Sequence, residues 1–183
     1  MSNPSNQFIK STILKLLGAI GSEKEINKYI EKFSSPEQRF AVIKVGGSVI
    51  DNDLENLISS LVFLNQVGLK PVILHGAGPM LSAALEEKKI DFSFIDGQRV
   101  TSLEVRDVAY SVFKETNKKI VEALETQGAK AHGLISNIFE CTMADPSLGY
   151  VGYIQSVDIN LINEVLELDS IPVIAPVLSL IHI

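Results

Sequence analysis

The sequence predicts an α/β protein whose open, mainly parallel sheet is sandwiched by helices, with a helical extension at its N-terminus. Two observations carry this prediction. A β-branched segment that runs into a glycine turn and then into a helical pattern occurs twice, at FAVIKVGGS (40–48) and at PVILHGAGP (71–79). Further along, residues 158–168 return to a helical pattern and residues 171–176 to a strand. Repeated strand, loop and helix units are typical of parallel sheets.

The helical extension is predicted over residues 1–36. Apolar residues recur at helical spacing over residues 7–20, and again over residues 22–33, where Ser22 and Glu25 form a capping box. Both apolar stripes suit packing against another surface. We therefore divide the chain into an extension, 1–36, and a domain, 37–183.

The remaining elements follow from periodicity and turn residues. Helices are predicted at 54–64, at 79–88, where Pro79 suits the first turn, and from 105 to 124. The last of these has Thr101 and Glu104 as a capping box and Gly128 as its end. Strands are predicted at 129–135, 138–143 and 150–157, with hairpin pairing among them. The chain stops directly after an apolar strand, which predicts a truncated domain.

Composition and charge exclude several classes of protein. The chain has 183 residues, of which 46% are hydrophobic and 21% charged, as in ordinary globular domains. A net charge of -6 argues against binding to nucleic acid or to an anionic membrane. The first twenty residues lack a signal-peptide pattern, and no apolar run reaches the length of a membrane span. The single cysteine, Cys141, has no internal disulfide partner, which suits a cytoplasmic protein.

The two glycine turns are the first candidate site. They follow parallel strands and precede helices, and such turns meet at one edge of the sheet, where α/β proteins bind ligands. Glycine amides and helix N-termini favour anions. Either turn alone is equally compatible with a tight turn that holds no ligand. Lys44 lies in the otherwise apolar strand 40–45, which we predict to be buried, and burying a lysine favours an anionic partner. The alternative is a lysine that reaches solvent from the strand end.

Six motifs in register resemble the acetylglutamate kinases of the amino-acid kinase family. They are FAVIKVGGSVI, VGLKPVILHGAGP, GQRVT, NKKIVEAL with its following glycine, GYVGYI and IPVIAPV, spanning about residues 40–178. The HGAGP and GQRVT forms are closest to the arginine-sensitive branch, which includes fused N-acetylglutamate synthase/kinases. The resemblance implies the N-terminal lobe of the amino-acid kinase fold, with residues 37–183 as its acetylglutamate-binding part.

The resemblance also implies a reaction and residue roles. The reaction is phosphoryl transfer from ATP to the side-chain carboxylate of N-acetyl-L-glutamate in arginine biosynthesis, with ATP and Mg²⁺ as the nucleotide and metal of the complete enzyme. Lys44 would be the catalytic cation, and Arg99 would bind the α-carboxylate of the substrate. The turn amides would complete the substrate site, at Gly46, Gly47, Gly76, Ala77 and Gly78. A homo-oligomer, and arginine as a regulator, are implied as partners.

Other residues are given structural interpretations. His75 is interpreted as structural because the attacking carboxylate is already ionised and needs no general base. Arg106, next to Asp107, is interpreted as a solvated helix residue. His132 and His182 have no further ligands at metal-binding spacing, so no metal site is predicted.

The nucleotide-binding half of the family pattern is absent from these 183 residues. The chain alone is therefore expected to supply half of the site and to be inactive by itself. The alternative is a non-catalytic module, in which an amino-acid-kinase-like domain of an N-acetylglutamate synthase assembles the protein and senses arginine. A generic dinucleotide-binding domain would need a GxGxxG motif, which the chain does not have.

Overall fold

The computed structural model describes residues 40–66, 68–177 and 179–180. The predicted extension and its Ser22–Glu25 capping box lie outside these residues. The described helices are α1 Gly47–Asn52, α2 Leu54–Gln66, α3 Gly78–Glu87, α4 Leu103–Thr126 and α5 Ile159–Glu167. The described strands are β1 Phe40–Val45, β2 Lys70–His75, β3 Phe94–Ile95, β4 Gln98–Arg99, β5 Ala131–Leu134, β6 Phe139–Met143, β7 Gly152–Val157, β8 Ile171–Ile174 and β9 Ser179–Leu180.

A four-stranded parallel sheet organises the molecule and confirms the predicted fold class. Its strand order is β1-β2-β8-β5, and each neighbouring pair is parallel. The two central strands, β2 and β8, are buried almost throughout. Their continuous apolar sequences suit this position, because helices cover a parallel sheet on both faces.

Helices form the two outer layers of the core. On one face, α2 and α4 pack Ile58, Leu61 and Ile120 against the sheet residues Ile73 and Val173, all at most 2% exposed. On the other face, α5 and β6 pack against Val72 and Ile174. A third cluster joins α3 to α4. None of the described helices has both the length and the apolar character needed to cross a membrane.

The prediction that strand 40–45 is buried is wrong for Val42 and Lys44, which are exposed. β1 is an edge strand of the described sheet, and of residues 41–45, whose burial is described, only Val45 is fully buried. Val42 is 66% exposed, and Lys44, on the same face two residues later, is exposed too. The reason is the position of α5, which packs on β8 and leaves this face of β1 uncovered.

The capping box predicted for α4 is also wrong, by one residue. The N-cap is Ser102, whose side chain accepts a hydrogen bond from the Val105 backbone N–H. Thr101 instead forms a parallel bridge with Gly149, and its hydroxyl donates to the Arg99 carbonyl. The predicted helix end is confirmed, since Gly128 follows α4 with a φ of +85°.

The strands after α4 pair only partly as predicted. β6 and β7 form the expected antiparallel hairpin. β5 does not join it, because β5 pairs in parallel with β8 in the main sheet. A short hairpin of β3 and β4 was not predicted, although its two-residue turn, Asp96–Gly97, has the sequence and the positive φ angles that such turns favour.

Candidate functional site

The two glycine turns lie in direct contact. The Gly76 N–H donates to the Val45 carbonyl over 2.8 Å, so the second turn is hydrogen-bonded to the end of β1. A Cβ added to Gly47 would lie 2.8 Å from Pro79 Cδ and 3.0 Å from the Gly78 nitrogen. This close approach requires glycine at position 47.

Other residues of the turns border open space. A Cβ at Gly78, the first residue of α3, would meet no atom within 4 Å, and one at Gly46 would meet only the Ser48 hydroxyl, at 3.9 Å. Ala77 precedes α3 as its N-cap, without a side-chain cap. The first backbone N–H groups of a helix have no partner within the helix. The contacting turns therefore leave an accessible surface beside the start of α3.

Lys44 lies beside these turns but faces solvent. It is two residues before Gly46, and its Cα is paired with that of Leu74, the residue before His75. Its side chain is exposed. Of the two interpretations of this lysine, the structure favours the one in which it reaches solvent from the strand end, where it remains available to an anion.

The Arg99 guanidinium is held from three sides. Its carbon lies 4.3 Å from the centre of the Phe92 ring and 4.7 Å from that of the Phe94 ring. Its Nη2 donates to the Ser82 hydroxyl over 2.7 Å. Its Nη1 is buried and has no hydrogen-bond partner. Burial lowers the pKa of Arg99, yet an arginine side chain stays charged at neutral pH. A buried charged donor without a partner favours an anionic ligand.

Arg99 lines a cavity of about 660 Å³ with mostly apolar walls. Ala109, Tyr110 and Phe113 of α4 form one wall, and Cys141 and Val151 are among the residues of the other. Arg106 also lines the cavity, with its guanidinium bonded to Asp107 and stacked on Tyr150. It is half exposed, as expected of a helix surface residue. Its place in the cavity was not predicted.

Helix α3 connects the cavity to the glycine turns. Gly78 of the second turn begins α3, Leu81 lines the cavity, and Ser82 holds Arg99. Four residues of helix rise by about 6 Å. Lys44 and the turn residues are not part of the cavity lining. The start of α3 beside the glycine turns and the residue that holds Arg99 therefore lie about one helical turn apart.

His75 is buried beneath the second turn, at 1% exposure. The Asn117 Nδ2 lies 3.2 Å from its Nε2, and the Phe113 ring lies 6.0 Å away, centre to centre. Burial lowers the pKa of His75, while a hydrogen bond to the Gly76 carbonyl acts in the opposite direction. This environment agrees with the structural interpretation of His75.

The lowered pKa of His75 predicts a loss of stability in mild acid. The unfolded histidine takes up a proton near pH 6.5, whereas the folded one resists protonation to a lower pH. The unfolded state therefore binds more protons, and the free energy of unfolding falls as pH decreases below about 6.5, by at most about 1.4 kcal/mol per pH unit. Urea unfolding at pH 7.5 and 5.5 measures this. His75→Gln should remove the part of this pH dependence of stability that comes from His75, whereas His132→Gln, at an exposed position, should keep it. If the free energy of unfolding changed equally with pH in both variants, the assignment of this pH dependence to His75 would be contradicted.

Several residues near the site were not identified from the sequence. Phe92 and Phe94 alternate just before the Asp96–Gly97 turn, so a strand pattern there could have placed both on one side of Arg99. Asn117 interrupts the apolar stripe of α4 and is 1% exposed.

Burial raises the pKa of the Cys141 thiol, so it stays protonated. Within the described ranges, no three His, Cys, Asp or Glu side chains gather as a metal site.

Comparisons with known proteins agree with this architecture. The sequence model of the amino acid kinase family matches residues 39–181. The chain is 43% identical over 157 residues to the acetylglutamate kinase of Xanthomonas campestris pv. campestris, covering 85% of this chain and 37% of that protein. It is 39% identical over 167 residues to the mitochondrial protein arg11 of Schizosaccharomyces pombe, covering 90% and 19%.

Among solved structures, smu.665 from Streptococcus mutans superposes with a TM-score of 0.69 at 26% identity, covering 78% of this chain and 60% of that one. The chain spans well under half the length of the two curated relatives.

Proposed function

Because the chain belongs to the amino acid kinase family, we propose that its full-length protein transfers the γ-phosphoryl group of ATP to the side-chain carboxylate of N-acetyl-L-glutamate. The described residues supply the acetylglutamate side of that site. The observation that carries the proposal is Arg99, whose guanidinium is held in a largely apolar cavity with its Nη1 atom buried and without a hydrogen-bond partner. A carboxylate completes the hydrogen bonding of the guanidinium, and an acyl group suits the apolar walls.

The reacting carboxylate belongs at the other end of the helical turn, beside the two glycine turns and Lys44. Phosphoryl transfer requires positioning and charge neutralisation more than covalent chemistry. The carboxylate attacks as an ionised nucleophile, so no proton has to be removed. Lys44 neutralises the charge of the phosphoryl group in transfer, and the accessible turn amides orient it. Among the described residues, Lys44, Arg99 and backbone groups would contribute to these steps, and Mg²⁺ would accompany ATP in the complete enzyme.

The partners and location belong to the same proposal and depend on the family resemblance. We expect a homo-oligomer, with arginine as a regulator. The acidic composition and the single cysteine support a cytoplasmic location, although several relatives, arg11 among them, are named as mitochondrial.

Replacing Arg99 tests the proposal. Isothermal titration calorimetry of the full-length protein should detect N-acetyl-L-glutamate binding, and Arg99→Met should weaken it by about 30-fold, since a hydrogen bond to a charged group contributes about 2 kcal/mol. Arg99→Lys should be intermediate, because it keeps the charge and loses the planar fork. The exposed Lys119→Met serves as a control that removes a cation elsewhere on α4.

An Arg99→Met variant that binds as tightly as the unmodified protein would contradict the assignment. If N-acetyl-L-glutamate binds but no phosphoryl group is transferred from ATP, the non-catalytic module becomes the better description.

A further inference from the structure

The amide of Asn117 links helix α4 to the two central strands of the sheet. Its Nδ2 donates to the Val173 carbonyl of β8 over 2.8 Å and lies 3.2 Å from His75 Nε2 at the end of β2. A carbonyl can only accept, so the nitrogen and not the oxygen of the amide must face Val173. The second hydrogen of the same nitrogen is then directed to His75.

This arrangement fixes which nitrogen of His75 carries the proton. Nε2 accepts from Asn117, so in the neutral ring Nδ1 is the protonated nitrogen. Nδ1 lies 3.4 Å from the carbonyl of Gly76, a long hydrogen bond to the first peptide of the second glycine turn. The Gly76 N–H in turn donates to Val45 at the start of the first turn. A continuous hydrogen-bonded chain therefore runs from α4 through Asn117, His75 and Gly76 to β1.

Gly133 of β5 makes room for this amide. A Cβ at Gly133 would overlap with Asn117 Oδ1 and would lie 3.5 Å from a methyl group of Val121. The asparagine is 1% exposed and packed against the sheet, so it has little freedom to rotate away. The absence of a side chain at Gly133 therefore helps to hold the amide in the orientation that His75 requires.

We propose that Asn117 and His75 are positioning residues, which set the second glycine turn through the Nδ1–H tautomer of His75. Neither residue touches the substrate. Their role rests on the proposed function, because the second glycine turn that they position is one of the two turns that would orient the phosphoryl group. The Asn117 amide acts on the turn only through the imidazole of His75. Substitutions of His75 can therefore separate the role of the donor, Nδ1, from that of the acceptor, Nε2.

The first test measures the tautomer and needs no ligand. Long-range ¹H–¹⁵N NMR of the histidine rings at pH 7 should show His75 with a protonated Nδ1 and an unprotonated Nε2. His132, which is exposed, supplies a reference signal from a solvated ring. A His75 ring protonated at Nε2 would overturn the proposal.

The second test separates the two ring nitrogens. His75→Asn keeps a donor near the Nδ1 position, whereas His75→Gln keeps an acceptor near Nε2 and loses that donor. Relative to the Ile120 amide of α4, exchange of the Gly76 amide should be about tenfold faster in His75→Gln and within about threefold of the unmodified protein in His75→Asn. Equal acceleration in both variants would show a packing role only and would overturn the proposal.

Ligand affinity completes the design. In the full-length protein, His75→Gln should weaken N-acetyl-L-glutamate binding by about tenfold and His75→Asn by less than about threefold, with His132→Gln as the unaffected control. Equal weakening in the two His75 variants would overturn the positioning role. If the unmodified protein binds no N-acetyl-L-glutamate, the proposed function fails, while the tautomer and exchange results still decide whether this hydrogen-bonded chain sets the turn.

Discussion

Replacing Lys44 with methionine is expected to lower kcat for phosphoryl transfer to N-acetyl-L-glutamate by about 100- to 1,000-fold in the full-length protein. Methionine keeps most of the length of the side chain and removes the charge that neutralises the phosphoryl group in transfer. Because Lys44 is exposed on an edge strand, the substitution leaves no buried group unpaired. A coupled assay for ADP release measures kcat and KM together.

The pattern of the two constants distinguishes this role from simple substrate binding. The KM for N-acetyl-L-glutamate should change little, since Arg99 and the cavity hold the other end of the ligand. Lys44→Arg should recover part of the rate, and Lys119→Met should leave it unchanged. A kcat of Lys44→Met within tenfold of the unmodified value would remove Lys44 from the mechanism.

Of the substitutions considered, Gly149→Ala is expected to cause the largest loss of stability, about 3 kcal/mol in the free energy of unfolding. Gly149 has φ +69° and ψ -128°, a conformation that only glycine adopts readily. An added Cβ would also overlap with the Thr101 carbonyl oxygen. That oxygen already accepts a hydrogen bond from the Tyr150 N–H over 2.8 Å, so the backbone of Thr101 cannot move aside without breaking the bridge.

A matched variant separates backbone strain from steric overlap. Gly97 also has a positive φ, +79°, but a Cβ there would meet nothing within 4 Å. Gly97→Ala should therefore cost only about 1 kcal/mol, and Tm should fall by about 6–12 °C for Gly149→Ala and by a few degrees for Gly97→Ala. Differential scanning calorimetry gives both values. Equal losses in the two variants would contradict the overlap with Thr101.

The elements that could be predicted from the sequence were those with a clear hydrophobic period or with glycine and proline residues that mark their ends. The repeated order of strand, glycine turn and helix fixed two of the parallel strands, and α3 begins one residue from its predicted start. The strand at 40–45 was correctly located. The prediction that it is buried was wrong for Val42 and Lys44, because the exposure of these side chains depends on which strand α5 covers. β5 was likewise found as a strand, but its pairing with β8 depends on contacts about 40 residues apart in the sequence.

Some features of the candidate site could likewise be predicted from the sequence, and others could not. Contact between the glycine turns follows from their positions after neighbouring parallel strands, and Arg99 was identified through the family resemblance. The setting of Arg99 between Phe92 and Phe94 depends on a short hairpin with too few residues to show a period. Asn117 carried a usable signal, an amide within an apolar stripe, but its partners lie on two strands that the local sequence does not bring together.

The strand order of the main sheet also affects how the chain folds. β8 lies between β2 and β5, so Ile73 and Val173, about 100 residues apart in the sequence, must meet before the centre of the sheet exists. Contacts between such distant residues slow folding, because a long loop has to close before they stabilise anything. During synthesis, β1 and β2 can pair early, whereas β2 and β5 expose unpaired edges until residues 171–174 emerge. This interval is when the growing chain most needs protection from aggregation.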